Sequence, residues 1–169
     1  MKIPKIETKR LFLRGFTPDD AQFALSIWND PEMGEFLMDE QMETVSESYL
    51  NEIKVLGEDE QCCYLIAENK INGERIGTCS FIPENGVYDI AYCVHKKFWR
   101  QGFATEMAGG MIDYARAHGA KKVTIFIFRE NPGSVAIAEK FGFRVVDTKI
   151  QKKRGSNREF VELKYELDL

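Results

Sequence analysis

Hydrophobic and polar residues alternate near the start of the chain, and the spacing then becomes helical. In residues 8–14, Leu11 and Leu13 fall on one face, which predicts a short strand. Thr17 stands directly before a proline, an arrangement typical of a helix N-cap followed by the first helical residue. A helix is therefore predicted over residues 18–28.

A second helix is predicted over residues 44–56. Thr44 and Glu47 have the spacing of a capping box, in which a hydroxyl and a carboxylate satisfy each other's backbone N–H groups. Tyr49 and Ile53 follow at helical spacing. We expect this helix to pack one apolar face against the rest of the chain.

Three short segments rich in β-forming residues come next. They are residues 62–67, 75–82 and 87–94, and Asn-Gly pairs separate them at 72–73 and 85–86. Asn-Gly between two apolar runs is the strongest short-range signal for a hairpin turn. The pattern predicts three antiparallel strands in a meander.

The clearest helical pattern follows this meander and ends at Gly119, the residue type expected just after a helix. Its apolar residues keep the i, i+3, i+4 spacing for three turns: Ala104, Met107, Ala108, Met111, Ile112 and Ala115. A strand over 122–128, a short helix between 131 and 142, and strands over 143–150 and 158–167 complete the chain. These elements predict an α+β (mixed α/β) fold with a largely antiparallel, twisted sheet and helices on both faces.

Composition limits the number of domains and the class of partner. A chain of 169 residues with 44% hydrophobic residues has enough apolar surface for one core, so we expect a single domain over 1–169. A net charge of -4 gives no electrostatic reason to bind nucleic acid or an anionic membrane. Charged residues interrupt the N-terminal segment and no apolar run is long enough to span a bilayer, so we expect a cytoplasmic protein.

The cysteines predict neither a metal site nor a disulfide framework. Cys62, Cys63, Cys79 and Cys93 do not have the spacing of zinc ligands or of a small secreted protein. We interpret them as reduced, mostly buried residues and expect no bound metal.

The segment 94–106 carries the main chemical signal. It leaves a strand, passes through Gly102 and enters the strongest helix, whose first N–H groups and dipole favour an anion. Lys96, Lys97 and Arg100 concentrate positive charge there in an otherwise acidic chain. A plain connection with a solvated basic face would show the same features, so the segment alone does not decide between the two interpretations.

Four stretches together resemble the GNAT superfamily of acetyl-CoA-dependent N-acetyltransferases, in particular the branch that includes the ribosomal-protein N-terminal alanine acetyltransferases. They are residues 7–14 (ETKRLFLR), 89–92 (DIAY) with 98–106 (FWRQGFATE), 131–134 (NPGS) and 139–143 (EKFGF). The resemblance spans nearly the whole chain in the expected order. It indicates a family and a single GNAT-like domain, and it does not indicate a particular acceptor.

The resemblance implies a set of residues that bind acetyl-CoA as co-substrate. The backbone of Cys93 and Val94 would pair with the pantetheine arm like an added strand, and Asn131 would bind the same arm further along. The amides of Arg100 to Thr105 would hold the diphosphate. The full cofactor segment is Trp99, Arg100, Gln101, Gly102, Phe103, Ala104 and Thr105.

The sequence departs from the wider superfamily at Trp99, where glutamine or arginine is typical, and at Ala138, where many relatives carry a catalytic tyrosine. Within the resembling branch, the hydroxyl at Ser134 is the proposed proton donor to the departing sulfur. For the base we favour Asp89, because strand alternation puts it on the same face as Cys93. Simple helix capping would equally explain Asn131 and Ser134, and a strand-edge ion pair would equally explain Asp89.

These observations predict an N-acetyltransferase that moves an acetyl group to a primary amine by direct attack in a ternary complex. The acceptor is left open between a small molecule and a peptide N-terminus, with specificity expected from residues 29–42, the second helix and the 152–157 turn. The acidic residues between Asp30 and Glu40 are compatible with a cationic acceptor or with solubility alone. A CoA-binding sensor or interaction module without turnover is the alternative, and homodimer formation is left open.

Overall fold

The computed structural model describes residues 4–169, which form one eight-stranded sheet and four α-helices. The strands are β1 Ile6–Glu7, β2 Leu11–Gly15, β3 Cys63–Asn69, β4 Arg75–Glu84, β5 Val87–Val94, β6 Lys122–Phe128, β7 Arg144–Lys152 and β8 Glu159–Asp168. The helices are α1 Ala21–Trp28, α2 Glu47–Lys54, α3 Phe103–Ala117 and α4 Pro132–Lys140. Single 3₁₀ turns lie at Pro18–Asp20, Leu56–Glu58 and Lys96–Phe98.

The strand order in the sheet is β1-β2-β3-β4-β5-β6-β8-β7. Neighbouring strands are antiparallel except β5 and β6, which run parallel because α3 carries the chain between them. The ladder of this parallel pair is short: it joins 87–89 of β5 to 122–124 of β6. Beyond it the two strands no longer pair, and this separation positions the candidate site.

The core lies on both faces of the sheet. On β3, Leu65 belongs to a buried cluster with Met107 of α3, whereas the next residue, Ile66, belongs to a second cluster with Ala24 of α1. Successive strand residues point to opposite faces, so α3 and α1 cover opposite sides. This arrangement confirms the predicted α+β fold with helices on both faces.

Two predicted boundaries were wrong. The first strand does not run through 8–14, because a tight turn separates β1 from β2: the N–H of Thr8 donates to the carbonyl of Leu11, and the N–H of Leu11 donates to the Thr8 hydroxyl. The second helix is capped by Ser46, whose hydroxyl accepts from the N–H of Tyr49 at 3.1 Å, and not by Thr44. The sequence offers two hydroxyl residues, two positions apart, that could cap this helix, and Ile53 of the helix is buried in the cluster with Ala24.

Candidate active site

A cleft of about 680 Å³ opens where β5 and β6 stop pairing. We call it the β5–β6 cleft. Ten of the twelve residues predicted to act at the site line it: Cys93, Val94, Trp99, Arg100, Gly102, Phe103, Ala104, Thr105, Asn131 and Ser134. Asp89 and Gln101 are outside its lining.

The hydrogen bonds of β5 decide which backbone groups face this cleft. His95 donates its N–H to Ile76 on the β4 side, whereas the carbonyl of Gly86 accepts from Lys121 on the β6 side. Because backbone groups alternate along a strand, the even-numbered residues Tyr92 and Val94 turn their N–H and C=O groups toward the cleft. The backbone of Cys93 faces β4 instead, so strand pairing favours Tyr92 in the place expected for Cys93.

The start of α3 forms the far end of the cleft. Gly102 adopts φ 79°, a left-handed conformation that side chains disfavour, and it serves as the N-cap. Glu106 makes the first intrahelical bond back to Gly102, so the N–H groups of Phe103, Ala104 and Thr105 precede the helical ladder. These amides at the positive end of a 15-residue helix fit a diphosphate.

The loop before α3 is held in shape by its own side chains. The indole N–H of Trp99 donates to the carbonyl of Val94 at 2.7 Å, and the side-chain amide of Gln101 donates to the carbonyl of Lys97 at 3.3 Å. Arg100 takes φ 59°, a left-handed value that is uncommon outside glycine. Trp99, the residue at which the sequence departs from the wider superfamily, therefore ties the loop to the end of β5 through its indole N–H.

Arg10 and Glu106 connect this loop and the start of α3 to the N-terminal part of the chain. Glu106 accepts from the hydroxyl of Thr8 at 2.7 Å and from Arg10 at its backbone N–H and at Nε, with the latter distance 2.6 Å. Arg10 also donates to the carbonyl of Gln101 at 3.0 Å and lies over the ring of Phe103. Glu106 therefore links the start of α3 to the region of β2.

The three basic side chains of the loop differ in their availability. Lys96 pairs with Asp30 and Glu32, and Lys97 pairs with Glu74. Within residues 4–169, Arg100 makes no ion pair and lines the cleft. The positive charge expected to meet an anion therefore reduces mainly to Arg100 and the helix dipole.

Asn131 and Ser134 meet at the first turn of α4. The side-chain oxygen of Asn131 accepts from the N–H of Ser134 at 3.2 Å, so the capping interpretation of this pair is confirmed. Capping uses only the carbonyl oxygen of the Asn131 amide and the backbone of Ser134. The Asn131 side-chain N–H₂ group remains to be used along the cleft, and the Ser134 side chain lies beside the Tyr92 hydroxyl.

Asp89 lies two residues before Ala91, which lines the cleft on the same strand face. Its carboxylate accepts from the hydroxyl of Thr124 at 3.2 Å. Burial raises the pKa of Asp89 to about 6, while Thr124 and the charge of Lys164 act in the opposite direction. Neither of these contacts is the strand-edge ion pair considered from sequence, and the shifted pKa is suited to proton transfer near neutral pH.

The Cys93 side chain is not an activated nucleophile. Burial raises the pKa of its thiol to about 12, which opposes formation of a thiolate.

In the described part of the chain, no group of three or more His, Cys, Asp or Glu is arranged to hold a metal ion. None of the helices in residues 4–169 is both long enough and apolar enough to cross a membrane.

One wall of the cleft comes from the segment between α1 and α2. Met33, Phe36 and Leu37 face the strand residues Phe126 and Phe128 across it. The predicted specificity segment 29–42 is therefore at the cleft, whereas α2 and the 152–157 turn do not line it.

The acidic residues of the 29–42 segment are largely paired, which weakens the case for a cationic acceptor drawn to them. Besides the pairs made by Lys96, Asp39 pairs with Arg154, and Glu35 pairs with Arg158. Lys153 is buried to 1% exposure and donates to the carbonyls of Gly34 and Glu35 at 3.1 and 3.0 Å. The 152–158 turn thus acts as a brace behind the cleft wall, a role that sequence reasoning missed.

Comparison with known proteins gives the family. The Acetyltransferase (GNAT) domain model matches residues 10–144 of this chain. The uncharacterized N-acetyltransferase p20 of Bacillus licheniformis is 27% identical over 146 residues, which cover 81% of this chain and 80% of that protein.

Solved structures share the fold at lower identity. Spermidine N-acetyltransferase of Vibrio cholerae, in complex with CoA and spermine, has a TM-score of 0.80 at 19% identity and covers 94% of this chain and 95% of its own. RimL, a ribosomal L7/L12 alpha-N-protein acetyltransferase, has a TM-score of 0.80 at 18% identity. The match covers 98% of this chain and 94% of the RimL chain. At these identities the structures show the fold, and the family model, which matches four fifths of the sequence, shows that the chain belongs to the GNAT acetyltransferase family.

Proposed function

We propose that this protein transfers an acetyl group from acetyl-CoA to a primary amine by direct attack in a ternary complex. The observation that carries the proposal is the β5–β6 cleft, which joins an anion-binding helix start to a strand with unpaired backbone groups and to the first turn of α4. An elongated thioester with a diphosphate at one end has the shape and charge that such a cleft accommodates.

The residues along the cleft would divide the binding of acetyl-CoA between them. The amides from Arg100 to Thr105, with the Arg100 side chain, would hold the diphosphate. The N–H groups of Tyr92 and Val94 and the side-chain amide of Asn131 would hold the pantetheine arm as an added strand is held. The carbonyl of Val94 already accepts a hydrogen bond from the indole N–H of Trp99. The N–H of Val94 is therefore the backbone group of that residue available to the pantetheine arm.

The chemical step needs a base, a stabilised oxyanion and a proton for the leaving sulfur. Asp89, directly or through a water, would take the proton of the attacking ammonium. The cleft-facing N–H next to Cys93, which is that of Tyr92, would polarise the thioester carbonyl. Ser134 would pass a proton to the departing sulfur and regain one from solvent. A thiol with a pKa of about 8.5 leaves readily, so a weak donor is sufficient.

The cleft wall narrows the class of acceptor. Met33, Phe36, Leu37 and Phe126 are apolar, and the acidic residues nearby are mostly paired with Lys or Arg. An amine flanked by an apolar group, such as a peptide N-terminus with an apolar side chain or an aromatic amine, fits this wall better than a long polycation. Relatives of known structure include both a spermidine N-acetyltransferase and a ribosomal-protein N-acetyltransferase.

Release of free thiol from acetyl-CoA, measured over a panel of peptide N-termini, aromatic amines and polyamines, tests this function. We expect turnover with at least one amine, highest when an apolar group lies next to the amino group. The alternative, a CoA-binding module without turnover, predicts tight CoA binding and no amine-dependent thiol release across the whole panel. Indifference to Asp89→Asn and Ser134→Ala would also favour this alternative.

A further inference from the structure

Phe126 is an exposed aromatic residue in the middle of β6, a strand that is otherwise mostly buried. Its neighbours Ile125 and Ile127 belong to the core cluster that packs against α3, so alternation turns Phe126 to the opposite face of the sheet. Phe126 is 46% exposed, whereas Phe128 on the same face is buried and stacks on Phe160 with ring centroids 4.7 Å apart. Single exposed apolar side chains are ordinary on protein surfaces, but this one lines the β5–β6 cleft.

The ring of Phe126 lies close to the proposed base. Thr124 precedes it by two residues on the same strand face and donates its hydroxyl to Asp89 at 3.2 Å. Residues two apart along a strand are separated by about 7 Å, which is within the length of a small amine. On the other side of Asp89, its cross-strand neighbour Ile82 is 44% exposed. Two exposed apolar side chains therefore flank the carboxylate on one face of the sheet.

The segment 29–42 covers this face in part. Met33, Phe36 and Leu37 line the same cleft as Phe126, so a group bound on the Phe126 ring would lie between two apolar surfaces. Ala91, which is also exposed, lines the cleft on the β5 side. Because the cleft continues to the proposed cofactor groups, an amine bound here would be next to the thioester.

The charges beside the Phe126 ring disfavour a second cation. Lys164 of β8 is the direct cross-strand neighbour of Phe126, and its side chain is 34% exposed. Lys164 pairs with Glu166, which also pairs with Lys122, so two lysines share one carboxylate on this face. Glu162, two residues before Lys164, already has an ion pair of its own. Apart from the proposed base, the surroundings of the ring therefore carry an excess of positive charge.

We propose that Phe126 and Lys164 are specificity-determining residues of the acceptor site, which selects an apolar monoamine over a polyamine. The ammonium lies at Asp89, and its apolar substituent packs on Phe126 beneath the 29–42 segment. Lys164 repels a second ammonium at the far end of that substituent, so the site combines an attraction with a repulsion. This inference rests on the proposed function, which it deepens.

The first test compares two amines of equal length that differ only at the far end. They are hexylamine and its diamine analogue, in which a second amino group replaces the terminal methyl group. Calorimetry at pH 7.5 measures the binding of each to the CoA-loaded protein. We expect hexylamine to bind at least about tenfold more tightly, because the diamine would bring a cation onto an apolar ring beside Lys164. Equal affinities, tighter binding of the diamine, or no binding of either amine would overturn the proposal.

Phe126→Ala tests the attraction. It should weaken hexylamine binding about tenfold, the effect of losing the apolar contact of one or two methylene groups, and leave diamine binding nearly unchanged. Ile150→Ala is the matched control, because Ile150 is 71% exposed on β7 and does not line the cleft. That variant should change neither affinity. Equal losses for both amines in Phe126→Ala would contradict a role in selecting between them.

Lys164→Glu tests the repulsion. It should raise the affinity of the diamine about tenfold or more and change that of hexylamine by less than about threefold. Lys121→Glu makes the same change in charge at an exposed residue outside the cleft, and it should leave the preference intact. An unaltered preference in Lys164→Glu would remove Lys164 from the proposal.

Turnover separates this inference from the proposed function. The ratio of kcat/KM for the two amines should follow their affinity ratio in every variant, and a change in the basicity of Asp89 cancels from that ratio. Thiol release whose ratio is the same in Phe126→Ala, Lys164→Glu and the unmodified protein would overturn the inference and leave the proposed function intact. Absence of thiol release would defeat the proposed function, while calorimetry would still decide the roles of Phe126 and Lys164.

Discussion

The environment of the Asp89 carboxyl group bears directly on its proposed role as the base. With a pKa of about 6, it is ionised at pH 7.5 and can accept a proton. We predict that kcat/KM rises with pH through about 6, and that Asp89→Asn removes this limb and lowers kcat about 100-fold while leaving acetyl-CoA affinity unchanged. Asp113→Asn, on the exposed face of α3, is the control. An unchanged pH profile in Asp89→Asn would exclude Asp89 as the base.

The same group has a predictable effect on stability. Its pKa is raised from 3.8 on folding, so the folded state binds more protons between pH 3.8 and about 6, and stability falls as pH rises through that range. At pH 7.5 the buried carboxylate is therefore unfavourable. We predict that Asp89→Asn raises the free energy of unfolding by about 1–2 kcal/mol, less than the full shift implies because the group is partly exposed. Chemical denaturation at pH 7.5 and at pH 3.5 checks this, since the difference should vanish at the lower pH.

Residue roles were predictable where residue type alone limits the choice. Gly102 is of the residue type that permits a left-handed backbone, and Asn131 is of a type that caps helices. The structure has both features. The surroundings of the Tyr92 hydroxyl, which lies beside Ser134, depend on tertiary packing, and no sequence pattern records them. The direction of the Cys93 backbone also depends on strand pairing, which a single sequence does not record.

The helix α3 offers a test at the scale of an element, because it has a left-handed glycine at each end. Gly102 and Gly119 have φ 79° and 76°, and an added Cβ meets no steric obstacle at either. Alanine at either position should cost about 1–2 kcal/mol of stability through backbone strain. We predict that Gly102→Ala also weakens acetyl-CoA binding at least about tenfold, since it displaces the N–H groups at the helix start. Gly119→Ala should leave that affinity unchanged in calorimetry, and equal losses in both variants would contradict a cofactor role for the α3 start.

The brace between the 152–158 turn and the 29–42 segment gives a second test at this scale. Lys153→Met leaves the carbonyls of Gly34 and Glu35 without their donor, so we predict a stability loss of about 2–3 kcal/mol and a looser cleft wall. KM for the amine should rise several-fold while acetyl-CoA affinity stays constant. Lys152→Met, at the exposed neighbouring residue, is the control for steady-state kinetics and unfolding. Equal changes in both KM values would mean that the wall is not specific to the acceptor.

Elements were predictable from sequence where local chemistry defines their ends. The two Asn-Gly pairs mark the turns of the β3–β4–β5 meander, and both glycines have positive φ. The start of α2 was not predictable from sequence, because Thr44 and Ser46 are both good N-cap residues and the local pattern does not distinguish them. Lys153 lies 119 positions after Gly34 and 118 positions after Glu35 in the chain. No local sequence pattern encodes contacts over such a separation.

At the scale of the whole molecule, the site exists because two parallel strands separate. The β5–β6 ladder is short, and the residues beyond it line opposite sides of the cleft. Sequence periodicity predicted each strand but could not predict that they are neighbours, since α3 intervenes. That pairing is a property of the whole fold, which this chain shares with the solved acetyltransferase structures.

Calorimetric titration of acetyl-CoA into the purified protein at moderate salt, with dephospho-CoA and ATP as controls, tests the central claim that the β5–β6 cleft is an acetyl-CoA site. We predict micromolar affinity for acetyl-CoA, much weaker binding of ATP, and loss of affinity in Gly102→Ala. With a Kd of about 10 μM, 1 mM acetyl-CoA should also stabilise the fold by about 2.7 kcal/mol. No heat and no thermal stabilisation at millimolar acetyl-CoA would contradict the account.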